Sequence, residues 1–298
     1  MFAITAITGK VGGVVADTLL AAGFGVRAVV RDAAKGAPWK ARGCEVAIAD
    51  LTDADRLAQA LEGTEGAFIL LPPVFDPQPD FRDVKATIAI IREAMARARP
   101  PKAVVLSTIG ADAAQPNLLD GLRYLEQALA DIDLPITFLR AAWFMENAQL
   151  DVASARERGV VTSYLQPLDR PIAMISIHDV GRIAADLLRE EWSGKRIVEL
   201  EAAERTTPNA IAAAFAKALG KPVRAQIAPR GEWEQAFRAQ GMRNPTPRMQ
   251  MIDGFNEGWI DFKTQGASGP KGRVTIDEAV AALVAVEEKR QVETGRAR

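Results

Sequence analysis

One cysteine, one histidine and two tyrosines in 298 residues remove several chemistries at the outset. Cys44 has no second thiol for an intramolecular disulfide, and a lone thiol cannot build a cysteine zinc site. His178 alone offers no histidine cluster for a catalytic metal. A formal net charge of −1 gives no basic field toward nucleic acid or an anionic membrane. Charges of both signs are mixed along the chain without long single-sign blocks. No apolar run approaches the roughly 20 residues of a membrane span. The first residues read directly as a strand, without the basic region and cleavage site of a signal peptide. A cytoplasmic, reducing setting is the expectation. What remains is a composition 48% hydrophobic and 25% charged, ordinary for a globular chain with a large core.

The first half alternates short apolar runs with helical patterns. Phe2 to Ile7 reads as a strand, followed by a glycine turn and a helix over Val11 to Ala22, where Val15, Leu19 and Ala22 share a face. Val26 to Val30 and Glu45 to Ile48 read as the next strands. Thr52, with Asp55 three residues on, predicts the N-cap of a helix carrying Leu57 and Leu61. Ala67 to Leu71 and Ala103 to Ser107 are unbroken apolar runs, the pattern of strands buried on both faces of a parallel sheet. A helix over Asp80 to Ala98 lies between them. Another over Leu119 to Ala130 precedes a strand at Ile136 to Arg140. This rhythm predicts an α/β fold with a doubly wound parallel sheet and helices on both faces.

The second half is less regular. A helix carries Val180, Ala184, Leu187 and Leu188, with Asp179 as its expected cap. Arg196 to Glu201 reads as a strand. Thr207 and Pro208 open a helix that Gly220 stops. Residues Pro229 to Arg248 concentrate Gly, Pro, Asn and Arg and read as loop-rich or mobile, a composition that permits a lid without requiring one. The charged tail from Glu287 is expected to fray.

The stretch Ile4 to Gly13, ITAITGKVGG, carries the spacing of a dinucleotide fingerprint, with Ala6 at the first glycine position. Alanine makes the tight turn only with negative φ there, so a slightly shifted turn is expected. Gly9 would let the backbone approach a pyrophosphate, and Gly12 would let the helix pack close to the sheet. Thr8 and the amides of Gly9, Lys10 and Val11 would face the phosphates at the helix N-terminus. At the end of the second strand, Arg31 and Lys35 suit the 2′-phosphate of NADP, whereas Asp32 suits the free ribose of NAD. NADP is the preferred reading and NAD the alternative. Asp50 and Leu51 end the third strand, where Asp50 either meets the adenine amine or begins the next helix cap. Leu70, Leu71 and Pro72 end the fourth, over the pyrophosphate and ribose. Ser107 ends the fifth, and its hydroxyl either meets ribose or substrate or simply closes the strand. Cys44 reads as a packed thiol and His178 as structural.

TGKVG, VVRD, ADLTD and LEG, then FLRAAWFMEN at Phe138 to Asn147, ISIHDVGRIAADLL, and TPRMQMIDGFNEGWIDF at Thr246 to Phe262 together resemble the NmrA-like branch of the atypical short-chain dehydrogenase/reductases. The resemblance spans nearly the whole chain and includes bacterial NAD(P)H:quinone oxidoreductases. It implies a Rossmann NAD(P)-binding domain over 1–150, with 175–203 returning to it, and a smaller mixed α/β substrate domain from 151–174 and 204–298. It places the stretch after FLR beside the nicotinamide, nominating Ala141, Ala142, Trp143, Phe144 and Asn147 for the substrate pocket. Trp143 and Phe144 present flat faces to a planar ring or serve as core aromatics at the domain junction.

Most reductases of the wider superfamily use a tyrosine with a lysine four residues on, which lowers the tyrosine's pKa. Those positions fall here on Leu118 and Leu122; four residues after the nearby Tyr124 stands Ala128. No catalytic residue is assigned. Two readings follow. In the first, the chain is an oxidoreductase for a quinone-like or other small planar acceptor that needs little acid help. In the second, it is a redox sensor that binds NADP(H) without turnover and signals to a protein partner. The first is favoured.

Overall fold

The computed structural model describes residues 1–263 and 269–296. Its main sheet has eight parallel strands in the order β12-β10-β6-β5-β4-β1-β2-β3. These are β1 (Phe2–Ile4), β2 (Val26–Val30), β3 (Glu45–Ile48), β4 (Gly66–Ile69), β5 (Ala103–Thr108), β6 (Ile136–Ala141), β10 (Lys195–Ala202) and β12 (Lys271–Gly272). Four short strands, β7 (Trp143–Phe144), β8 (Val160–Ser163), β9 (Met174–Ile175) and β11 (Arg224–Ile227), form two separate parallel pairs, β7 with β9 and β8 with β11. The helices are α1 (Lys10–Ala21), α2 (Ala33–Ala41), α3 (Ala54–Leu61), α4 (Arg82–Ala98), α5 (Asp120–Leu129), α6 (Val152–Arg158), α7 (Ile177–Arg189), α8 (Pro208–Leu219), α9 (Trp233–Ala239), α10 (Thr246–Glu257) and α11 (Ile276–Arg296).

The unbroken apolar strands are buried on both faces. Alternation along β5 sends Val104 and Leu106 toward the layer of α1 and α7, where Val15, Leu19, Val180 and Ala184 pack. It sends Ala103 and Val105 toward α3, α4 and α5, against Leu57, Ile91, Met95 and Leu125. A third cluster joins Phe215 of α8 to Val280 and Val284 of α11 and Val161 of β8. The two main faces make the Rossmann-like α/β layering that the sequence rhythm predicts.

Several boundaries differ from expectation. Strand β1 ends at Ile4, because buried Thr5 turns its hydroxyl to Phe68 O (3.0 Å) and receives Leu70 N–H (3.0 Å). Ala6 then adopts φ +50°, the left-handed region, where negative φ is expected. Asp53 caps α3 by accepting Arg56 N–H, while Thr52 donates to Asp50. Ser176 caps α7, and Asp179 instead accepts the amides of Arg273 and Val274 near β12. The stretch 229–248 is no open loop: it contains α9 and the start of α10, anchored by fully buried Trp233 and Phe237, an i, i+4 pair. The charged tail continues as helix through Arg296; residues 297–298 lie outside the described residues.

Candidate functional site

In a parallel sheet all strand ends of one polarity share an edge, so the residues after β1, β2, β4, β5 and β6 converge on one cleft. At its centre is the N-terminus of α1. The Gly9 amide donates to Ala6 O (2.9 Å), which closes the turn and withdraws that amide from the expected phosphate contacts. Among the described residues, the amides of Lys10, Val11 and Gly12 have no acceptor. No side chain caps the helix and no acid lies in its first turn. An open N-terminus of this kind favours an anion. The two glycines are needed because the turn lies against the helix: a Cβ on Gly12 would lie 2.4 Å from Ala6 O, and one on Gly9 3.1 Å from it. Behind them Gly181 lets α7 close on α1, where a Cβ would lie 2.5 Å from that of Val14. That close approach is a physical reason for the glycine in the DVG stretch.

The rim separates two charges that the sequence left in competition. Asp32 is committed to the N-cap of α2, accepting Lys35 N–H (2.9 Å). Arg31 is exposed and, among the described residues, has no acidic partner. Lys35 is also exposed, 3.9 Å from Asp32. Asp50 is turned inward on its own loop, accepting both the amide and hydroxyl of Thr52 (2.9 and 2.8 Å). Leu51, Leu70 and Leu71 are half-buried, and Pro72 and Thr8 are exposed.

On the opposite side, Ala142 N–H donates to Leu200 O (2.9 Å) and Trp143 N–H to Ala173 O (3.2 Å), fixing the strand after β6. Trp143 and Phe144 are half-buried, and Trp143 meets Phe255 of α10 edge-on, with centroids 5.1 Å apart. Asn147 is exposed. Glu146 beside it accepts from Ser176 Oγ (2.7 Å) and Ile177 N–H, so it ties this stretch to the start of α7. Lys10 reaches across the cleft to Gln149 Oε1 (2.9 Å). A second bridge joins Asp76 to the amides of Arg243 and Asn244 (3.0 and 2.7 Å), which hold its carboxyl below the usual range.

Ser107 does not face the cleft. Strand alternation turns it with Ala103 and Val105 toward α5, where its hydroxyl donates to Glu126 (2.5 Å), itself paired bidentately with Arg140. Leu118 and Leu122 pack into apolar clusters, and Leu118 N–H donates to Pro247 O (2.9 Å). Tyr124 packs on α4, with Phe81 edge-on and Lys85 over its ring. His178 is exposed, and burial raises the Cys44 thiol above its usual value. Among the described residues no group of His, Cys, Asp and Glu could hold a metal, and no helix is long and apolar enough to cross a membrane.

The late DGFNEG stretch is a clamp that sequence reasoning did not resolve. Asn256 accepts Gln166 N–H (2.8 Å) and donates to Tyr164 O (3.0 Å). Gly254 and Gly258 leave room for Ile260 and Arg170, and Gly258 ends α10 at φ +89°. The signal available was an asparagine between two glycines at a helix end.

Fold and cleft together define a Rossmann-type protein with an uncapped α1 N-terminus on one wall and apolar, aromatic surface on the other. The chain belongs to the NmrA-like family, whose profile matches residues 2–257. It is similar to the NAD(P)H azoreductase of Xenophilus azovorans, 27% identical over 261 residues, covering 86% of this chain and 85% of that protein. It is similar to quinone oxidoreductase 2 of Escherichia coli (strain K12), 28% identical over 246 residues, covering 81% and 82%. Its fold matches the structure of an NADPH-dependent quinone oxidoreductase from Escherichia coli complexed with NADPH, at TM-score 0.80 and 26% identity, covering 95% of this chain and 99% of that one.

Proposed function

We propose that this chain is an NADPH-dependent oxidoreductase acting on quinone-like planar acceptors without a Tyr–Lys dyad. The observation that carries the cofactor reading is the open N-terminus of α1, with Arg31 exposed and without an acidic partner among the described residues and the competing Asp32 consumed as a helix cap. The glycines let the turn lie against α1, since added Cβ atoms would meet its backbone, and the uncapped amides beyond it suit a pyrophosphate. The amides of Lys10, Val11 and Gly12 would hold the pyrophosphate, and Arg31 with Lys35 the 2′-phosphate. When bound, NADPH supplies the two electrons and the hydrogen as hydride. Ala142, Trp143 and Phe144 then wall the acceptor side. With leucine at 118 and 122, no side chain there donates a proton, so water protonates the reduced acceptor. A quinone tolerates this because its reduced oxygen is stabilised by the ring. The names of the azoreductase and quinone reductase relatives support planar conjugated acceptors.

The test is NADPH oxidation followed by stopped flow with a panel of quinones, alongside fluorescence titration of NADPH and NADH. The expected result is quinone-dependent oxidation and tighter binding of NADPH. Arg31→Gln is expected to weaken NADPH by roughly 10–100-fold and NADH far less. Tight NADPH binding with no transfer to any quinone would instead favour a redox sensor acting through a protein partner.

A further inference from the structure

Arg248 is a half-buried guanidinium with no carboxylate partner among the described residues. Four other arginines of the C-terminal part are paired: Arg205 with Asp261 and Glu201, Arg230 with Asp253, Arg238 with Glu234, Arg243 with Asp76. Arg248 instead lies 4.4 Å over the ring of Phe237, with Nη1 3.6 Å from Met242 Sδ. A ring face and a thioether are weak partners for a half-buried cation. A group held at that cost without a counter-charge is suited to a charge arriving from outside.

Its place in the fold says where that charge would be. Arg248 stands in the first turn of α10, next to Pro247, whose carbonyl accepts Leu118 N–H at 2.9 Å. Leu118 is the position at which the sequence spacing sets the tyrosine of the wider superfamily. Arg248, Met251 and Phe255 follow i, i+3, i+7 spacing and share a helix face, and Phe255 meets Trp143. Arg248 and the aromatic wall therefore belong to the same side of α10.

We propose that Arg248 selects the acceptor: it receives an anionic substituent, a sulfonate or carboxylate, carried on the ring of a planar aromatic acceptor seated against Trp143. This rests on the reductase reading above and adds the charge of the substrate to it. A guanidinium forks onto either oxyanion with two parallel N–H donors.

The test compares 1,4-naphthoquinone with its 2-sulfonate as acceptors for NADPH oxidation by the full chain and by Arg248→Met and Arg248→Lys. Methionine keeps the contact with Phe237 and removes the charge; lysine keeps the charge and loses the fork. The ratio of kcat/KM for sulfonate over neutral quinone is expected to fall 10–100-fold in Arg248→Met, mainly through KM, and by less in Arg248→Lys. A parallel calorimetric titration with 2-naphthalenesulfonate, which accepts no hydride, is expected to show binding to the NADP⁺-loaded chain that Arg248→Met loses. An unchanged ratio, an equal loss in both variants, or no sulfonate binding by the unmodified chain overturns the proposal. If no quinone is reduced while sulfonate binding still depends on Arg248, the reductase reading fails and the anion site stands.

Discussion

The two walls of the cleft are built on opposite plans. On the wall of β1 and β2, polar groups are left without internal partners: three amides open α1, and Arg31 is exposed and unpaired among the described residues. On the wall of α7, α9 and α10, polar groups are spent on the backbone of neighbouring segments. Glu146 holds the start of α7, Asn256 holds residues 164 and 166, Asp76 holds 243 and 244, and Asp179 holds 273 and 274. Donors left without partners suit an anion, because an unsatisfied N–H keeps its attraction for one. A wall of short irregular segments has little ladder hydrogen bonding, and side-chain clamps replace it. Aromatic surface lies on that wall, with Trp143 edge-on to Phe255.

The largest expected effect breaks the first wall. Gly12→Val puts side-chain atoms where the backbone of Ala6 and Ile7 already stands, with even the Cβ 2.4 Å from Ala6 O. Backbone cannot yield as a flexible side chain does. The substitution is expected to cost ~3 kcal/mol of stability or more and to abolish measurable NADPH binding. Denaturant unfolding and fluorescence titration check both. A variant of full stability and affinity would show that the turn is looser than its geometry.

Breaking the second wall is expected to be milder and differently distributed. Asn256→Ala leaves Gln166 N–H without its acceptor and Tyr164 O without its donor. The expected loss is about 2 kcal/mol, since each orphaned partly buried group costs on the order of 1 kcal/mol. Because Tyr164 packs on Trp233 and Phe237, KM for the acceptor should rise severalfold while the NADPH dissociation constant stays within about twofold. Equal damage to both constants would mean that the two walls are mechanically one.

The same division governs what the sequence disclosed. Strands such as Ala103–Thr108 are legible because burial on both faces removes polar residues, and the turn before α1 is legible because close approach demands glycine at fixed spacing. Caps were misplaced by one or a few residues, as at Thr52 against Asp53 and Asp179 against Ser176, since adjacent residues have equal capping chemistry and only tertiary contacts choose between them. Helix α9 was hidden in a stretch rich in Gly, Pro, Asn and Arg, though Trp233 and Phe237 at i, i+4 carried its signal. Ser107 shows a subtler limit: its strand was read, but which face its hydroxyl would take depended on the register against Arg140.

The smallest expected effect returns to Ala6. Its φ of +50° places a Cβ-bearing residue in the left-handed region, at a position where the fingerprint has glycine. That conformation costs an L-residue about 1 kcal/mol or more, whereas glycine adopts it freely. Ala6→Gly recovers this strain but enlarges the conformational freedom of the unfolded chain, which offsets roughly 0.4–1 kcal/mol. The net change is therefore expected to be within about 0.5 kcal/mol, a shift in Tm of about 1 °C. Cofactor affinity should change no more than about twofold, because the amides of Lys10, Val11 and Gly12 already point from the same turn. Scanning calorimetry and titration of the variant would check this. A large gain in both stability and affinity would mean that alanine holds the turn away from its best phosphate geometry, and that this wall, like the opposite one, depends on a side chain.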